Sequence, residues 1–144
     1  MAQKTSEDWH GCPIRFGATV IGDGWSLLFL RDLMFKNARF YADFLNAGEQ
    51  ISTNILATRL VSLEQEGIVA KYSDPRHGAR FIYALTDKGL GLVPVLLALM
   101  DWSEKWDNKT EVSAAFAAAL RDDQQALALR IQREHEATTA ALID

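Results

Sequence analysis

The clearest pattern of apolar and polar positions lies in the middle of the chain. Leu56, Leu60 and Leu63 recur at helical spacing and form a narrow apolar stripe, while the positions around them are largely polar or small. Ser52 is a favourable N-cap, and Gly67 stands where a helix commonly ends. The pattern predicts a helix from Ser52 to just before Gly67 that buries one face and exposes the other.

Two helical patterns precede this one. Residues 20–35, VIGDGWSLLFLRDLMF, begin with glycines and continue with apolar side chains at helical spacing. Asp23 or Ser26 is expected to cap that helix. Residues 39–47 favour a short second helix, and Gly48 follows at the position where it would end.

The period changes after Gly67. IVAKYS and RFIYALT are rich in β-branched and aromatic residues, and Phe81, Tyr83 and Leu85 share one face at period two. Pro and Gly stand in the intervening DPRHGA. These features predict a β-hairpin whose loop is longer than the tightest type.

Helical patterns resume at residue 86, with Thr86 or Asp87 as the expected cap. Pro94 is awkward inside a helix, so the helix either starts a turn later, near Leu92, or bends there. Beyond Trp106, two alanine-rich stretches have high helix propensity.

The last of these stretches has few large apolar side chains and is marginal as an isolated helix. It must therefore lie over its own domain or cross to a partner subunit. Packing at a dimer interface is the arrangement we expect.

Composition sets outer limits on function. The 144 residues fit one domain with an appendage, and 49% hydrophobic content is ordinary for a globular protein. We expect a cytoplasmic protein, because no apolar run could span a membrane and the first residues lack a signal-peptide pattern. The net charge of −4 argues against nucleic acid, but residues 31–80 are slightly basic and the acidic excess lies elsewhere.

Enzymatic and metal-binding signatures are missing from the sequence. His10, His77 and His135 lie far apart, without the short spacing of metal ligands. There is no phosphate-binding glycine loop and no nucleophile elbow. We expect no catalytic residues, no metal and no cofactor.

The order helix, short helix, capped helix, hairpin, helix is that of a winged helix-turn-helix. CPIRFGATVIGDGWSLLFLRDLMF, RFYADFLNAGEQISTNILATRLVSLEQEGIV and ARFIYALTDKGLGLVPVLLALMDW resemble the HxlR-type winged-helix transcriptional regulators of bacteria. The resemblance covers roughly residues 12–106. It implies a mainly α fold with a small β-hairpin: a winged helix-turn-helix domain with flanking dimerisation helices over residues 1–106, and an alanine-rich helical extension over 107–144.

The resemblance also implies a function. A homodimer would bind a pseudo-palindromic operator in double-stranded DNA, with its two recognition helices about 34 Å apart. The helix at 52–66 would enter the major groove, and the basic wing at 73–80 would lie beside the phosphate backbone or the minor groove.

The side chains expected to contact DNA come from the recognition helix, the wing and the start of the helix-turn-helix. Asn can pair with adenine, Thr can touch a thymine methyl group or a phosphate, and Arg can reach guanine or phosphate. The expected contacts are Lys36, Arg39, Ser52, Thr53, Asn54, Thr58, Arg59, Ser62, Arg76, His77 and Arg80.

One feature departs from the resembled family, whose members often carry several arginines on the recognition helix. Asn54 and Thr58 stand at such positions, and Arg59 is the only basic residue of the helix. Non-specific affinity should be weak, because it scales with the number of phosphates neutralised. An ordinary solvated helix face, or a winged fold that serves as a protein-interaction module, is the alternative.

Cys12 is the only cysteine and has two interpretations. Some members of the resembled family sense oxidants or electrophiles through a cysteine before the first helix, and His10 and Arg15 are near enough in sequence to favour the thiolate. Alternatively, Cys12 is a small side chain that packs at the dimer interface. An oxidant or an unidentified small molecule is accordingly a possible effector.

Overall fold

The computed structural model of this chain describes residues 11–144, in which eight helices surround one antiparallel hairpin. The helices and strands are α1 (Pro13–Ile21), α2 (Gly24–Phe35), α3 (Tyr41–Leu45), α4 (Thr53–Gln65), β1 (Val69–Ser73), β2 (Phe81–Leu85), α5 (Asp87–Leu90), α6 (Val93–Trp106), α7 (Ala114–Asp122) and α8 (Gln124–Ile143).

Local capping signals set the bounds of the helix-turn-helix. Asp23 Oδ1 accepts a hydrogen bond from the Ser26 amide at 2.8 Å, and Ser52 Oγ accepts one from the Ile55 amide at 3.2 Å. Gly67 follows α4 with φ of +74°, a conformation that favours glycine. The predicted caps of α2 and α4 are confirmed.

The short helix α3 is shorter than the predicted 39–47. Its first turn is held by Asp43, whose Oδ2 accepts hydrogen bonds from the backbone amides of Arg39 at 2.9 Å and Phe40 at 3.0 Å. Phe40 is extended as the N-cap residue, so the helix begins at Tyr41. A carboxylate three residues inside the helix therefore decides where it starts.

The hairpin forms as predicted, with Val69 opposite Leu85 and Ser73 opposite Phe81. Both faces of β2 are covered, because every residue from Ile82 to Leu85 is buried. β2 is enclosed because Tyr83 packs edge-to-face on Phe44 of α3, and α8 also packs against the strand.

The C-terminal helices continue the same core. α6 begins at Val93 with Pro94 in its first turn, which confirms the later of the two predicted starts. Leu127 and Ile131 of α8 join a cluster that includes Leu33 of α2 and Leu97 of α6. The extension thus packs on its own chain, and its role in a dimer interface stays a prediction.

In residues 11–144, the three most exposed large apolar side chains lie on α1 and α6. α1, which the sequence patterns did not reveal, has no buried residue, and its Ile14 is 78% exposed. On α6, Leu99, Trp102 and Trp106 are 47%, 63% and 77% exposed. A cavity of about 240 Å³ beside Leu99, between α2 and α6, has an almost entirely apolar lining.

Candidate nucleic-acid interface

The outward face of α4 presents a compact polar group near its N-terminus. Thr53, Asn54 and Thr58 are exposed because the leucine stripe at Leu56 and Leu60 turns the opposite face into the core. The Thr58 hydroxyl donates to the Asn54 carbonyl at 2.8 Å. In residues 11–144 the Asn54 carboxamide has no hydrogen-bond partner, so it is available to a base edge.

Arg59 does not join the exposed polar group of Thr53, Asn54 and Thr58. Its Nε lies 3.4 Å from Asp23 Oδ1, the oxygen that also caps α2, and only 26% of the side chain is exposed. Ser52 is occupied with its cap, and Ser62 is half-buried. The only basic side chain of α4 is therefore partly neutralised by a neighbouring helix.

A buried carboxylate organises the wing. Asp74 accepts hydrogen bonds from the Arg76 amide at 3.0 Å and from Arg80 Nε at 2.9 Å, and Arg80 Nη2 approaches it to 2.7 Å. The Arg76 amide, followed by the Arg80 side chain, holds the pKa of Asp74 below its usual range. Sequence reasoning missed Asp74, although an aspartate before Pro and ahead of two arginines is a turn-forming signal.

The N-terminus of α3 brings the wing close to the start of α4. The Arg80 guanidinium lies 4.1 Å from the centre of the Phe40 ring. The next residue, Tyr41, donates its hydroxyl hydrogen to the Thr53 carbonyl at 3.1 Å. The N-cap residue and the first residue of α3 thus contact the wing and the N-terminus of α4, which places Arg80 and Thr53 in one region of the surface.

The other predicted basic contacts differ in accessibility. Lys36, at the end of α2, and His77, at the wing tip, are exposed. Lys71 lies over the Phe81 ring at 4.1 Å on the same hairpin. Arg76 is half exposed, and its guanidinium contacts Asp74 and the C-terminal turn of α8.

Arg39 is not available to DNA, contrary to the expectation from sequence. The residue is 2% exposed, and its guanidinium donates to Thr139 Oγ1 at 2.7 Å and to the His135 carbonyl at 2.9 Å. Burial lowers the pKa of Arg39 to about 10. The side chain joins the helix-turn-helix to α8 and leaves the predicted interface.

Comparisons with known proteins agree with this geometry. The HxlR-like helix-turn-helix family matches residues 20–111, which is most of the chain. The chain belongs to this family. A relative in Synechocystis, the HTH-type transcriptional regulator sll1512, is 36% identical over 105 residues that cover 73% of this chain and 77% of that protein. These matches identify the chain as a DNA-binding transcriptional regulator, a class of protein that is not enzymatic.

Solved structures give the same fold. The crystal structure of PA1607 matches with a TM-score of 0.66 and 34% identity, and the match covers 75% of this chain and 76% of that one. The redox regulator HypR in its oxidized form matches with a TM-score of 0.58 and 26% identity, over 70% of this chain and all of HypR. The family match stops at residue 111, so α7 and α8 lie beyond it.

Membrane-spanning helices and metal-binding clusters are both absent from residues 11–144. No helix there is both long and apolar enough to cross a membrane. No group of three or more His, Cys, Asp or Glu side chains within the same residues could hold a metal ion. His10 lies outside the described residues.

Proposed function

We propose that this HxlR-family regulator acts as a homodimer on a pseudo-palindromic operator in the bacterial cytoplasm, with α4 in the major groove and the wing beside the backbone. The exposed carboxamide of Asn54 between Thr53 and Thr58 is the observation that carries this proposal. Asn54 supplies base recognition, because a carboxamide pairs with adenine through two hydrogen bonds. Arg80, Lys36 and His77 supply backbone contacts.

Asn54→Ala tests base recognition. The variant should lose about 1–3 kcal/mol of discrimination between an operator fragment and scrambled DNA, with non-specific affinity unchanged. Fluorescence anisotropy at several salt concentrations measures both quantities. Gln65→Ala removes another exposed carboxamide at the far end of α4 and should leave both quantities unchanged. If the Asn54 variant discriminated between the two DNAs as well as the unaltered chain does, α4 would not be the helix that reads the bases.

The dimer interface in this proposal is the apolar face of α6 together with α1. Leu99, Trp102 and Trp106 form a contiguous exposed surface, and an apolar cavity adjoins Leu99. Surfaces of this kind on a soluble chain mark association sites, and aromatic residues are enriched in them. A second copy of the chain satisfies the two-fold symmetry of a pseudo-palindrome.

Leu99→Asp should convert the dimer to a monomer in sedimentation velocity, because it places a charge in an apolar contact. Leu129→Asp tests the prediction that the C-terminal extension takes part in the interface, since Leu129 on α8 is 45% exposed, almost as much as Leu99. Loss of the dimer in the Leu129 variant alone would place the interface on α8.

Redox control through Cys12 is a second element of the proposal. Cys12 is exposed as the residue that precedes α1, and the structural neighbour HypR is a redox regulator. Cys12→Ser should abolish any change of DNA affinity on treatment with peroxide and leave basal affinity intact. An oxidant response that survives in the variant would exclude this cysteine.

A further inference from the structure

The C-terminal helix α8 reaches from the helix-turn-helix to the wing. At its middle, Arg39 donates to the His135 carbonyl and to Thr139 Oγ1, and His135 Nε2 accepts from the Leu85 amide at 3.0 Å. These contacts hold α8 against the end of β2 farther from the wing. The helix then continues to Ile143, beyond the region shared with the family.

The final turn of α8 contacts Arg76 at the wing. Arg76 Nη1 donates to the Leu142 carbonyl at 3.0 Å, and Nη2 donates to the Ala141 carbonyl at 3.1 Å. The last four carbonyls of a helix have no partner within it, and they carry the negative end of the helix dipole. Arg76 thus donates from both terminal nitrogens to two carbonyl oxygens at the negative end of the helix dipole, and the same two donors could bind a phosphate.

The two interactions compete for the same donors. While Nη1 and Nη2 bind the end of α8, a phosphate must displace the carbonyls to form the bidentate contact. The C-terminal end of α8 and the Asp144 that follows it are negative, so they also repel a phosphate close to the wing. Arg80 is not held by α8: its Nε and Nη2 pair with the carboxylate of Asp74, and its guanidinium lies over the Phe40 ring.

We propose that the last turn of α8 is an autoinhibitory contact that occupies Arg76 and lowers the affinity of the wing for the DNA backbone. The proposal rests on the proposed function, since it assumes that the wing approaches phosphate. Release of this turn frees Arg76 for one additional phosphate. α8 thereby sets the DNA affinity of a winged helix-turn-helix whose recognition helix, α4, has little positive charge of its own.

Ala140→Pro tests the contact without changing charge or length. Ala140 is exposed, and proline there removes a helical hydrogen bond and clashes with the carbonyl four residues earlier, which frays the final turn. The variant should bind a duplex of unrelated sequence about two- to fivefold more tightly, the range expected for one cation at a helix C-terminus. The plot of log affinity against log salt should steepen by about 0.9, the value for one phosphate.

Arg76→Ala completes a double-mutant cycle. In the full chain it should change affinity little, and combined with Ala140→Pro it should cancel the gain. Ala140→Ser keeps the helix and should behave as the unaltered chain. Circular dichroism checks that each variant is folded, and Ala141→Gly with Leu142→Gly, which weakens the same turn, is measured in parallel and should show a gain of the same sign.

Two results would overturn the proposal of an autoinhibitory contact, and a third would bear on the proposed function only. An unchanged or lower affinity in both the proline and the glycine variants overturns the proposal, because the turn would then be neutral or would support the wing. A gain that persists without Arg76 also overturns it. Failure of the unaltered chain to prefer any operator would count against the proposed function alone, since these ratios are measured on DNA of unrelated sequence.

Discussion

Acidification should weaken this fold through one buried histidine. His135 is 5% exposed, and its Nε2 accepts a hydrogen bond from the Leu85 amide. A ring nitrogen that accepts cannot carry a proton, so protonation of His135 breaks this bond and places a charge near Arg39. Burial, followed by the positive charge of Arg39, lowers the pKa of His135 to about 4.

The sign and size of the effect follow from linkage. The pKa is lower in the folded chain than the ordinary 6.5, so the folded state binds fewer protons than the unfolded state. The contribution to stability is complete above about pH 6.5 and is lost as the pH falls toward about 4. The full loss is about 3 kcal/mol, and about 2 kcal/mol of it occurs between about pH 7 and pH 5.

Urea unfolding at a series of pH values, compared with His135→Gln, isolates this term. The glutamine oxygen can accept from the Leu85 amide but does not titrate, and all other titrating groups are common to both proteins. The unaltered chain should lose about 2 kcal/mol relative to the variant between about pH 7 and pH 5. A difference that is independent of pH would refute the assignment of a neutral buried His135.

Three substitutions test other parts of the fold by urea unfolding. Arg39→Met should cost about 3 kcal/mol, because it removes the buried charged donor that binds both the His135 carbonyl and Thr139 Oγ1; an unchanged midpoint would contradict this. Gly67→Ala should cost about 1 kcal/mol, because φ there is +74°, and a neutral result would mean that the turn relaxes. Ser52→Ala should cost about 1 kcal/mol through the lost N-cap, whereas Ser73→Ala, on the exposed hairpin, should cost little.

Local signals in the sequence were sufficient to predict the helices and strands of the winged helix-turn-helix. α4, its Ser52 cap and its Gly67 end follow from side-chain period and capping chemistry, which involve residues only a few positions apart. Pro94 fixed the start of α6 for the same reason. The family resemblance added the function.

The local signals for α1 are weaker than those for α4. Pro13 at its first position and the helical spacing of its apolar residues were present in the sequence, but Gly17 and Gly22 obscured them. Within residues 11–144, Ile14 and Phe16 of α1 are exposed, whereas Val20 and Ile21 pack against the core. The use of the two exposed side chains depends on the second copy that we propose.

The sequence by itself therefore determined the winged helix-turn-helix, its caps and the polar face that carries Asn54. Only the tertiary structure decided which charged side chains remain available to DNA. Arg39 was expected at phosphate but binds the His135 carbonyl and Thr139, which lie 96 and 100 positions away along the chain. Arg76 is held from 65 and 66 positions away. Periodicity and capping do not encode such distant partners, because these meet only when α8 packs across the hairpin. The buried Arg39 must then find polar partners on α8, and the exposed Arg76 finds them at the end of that helix.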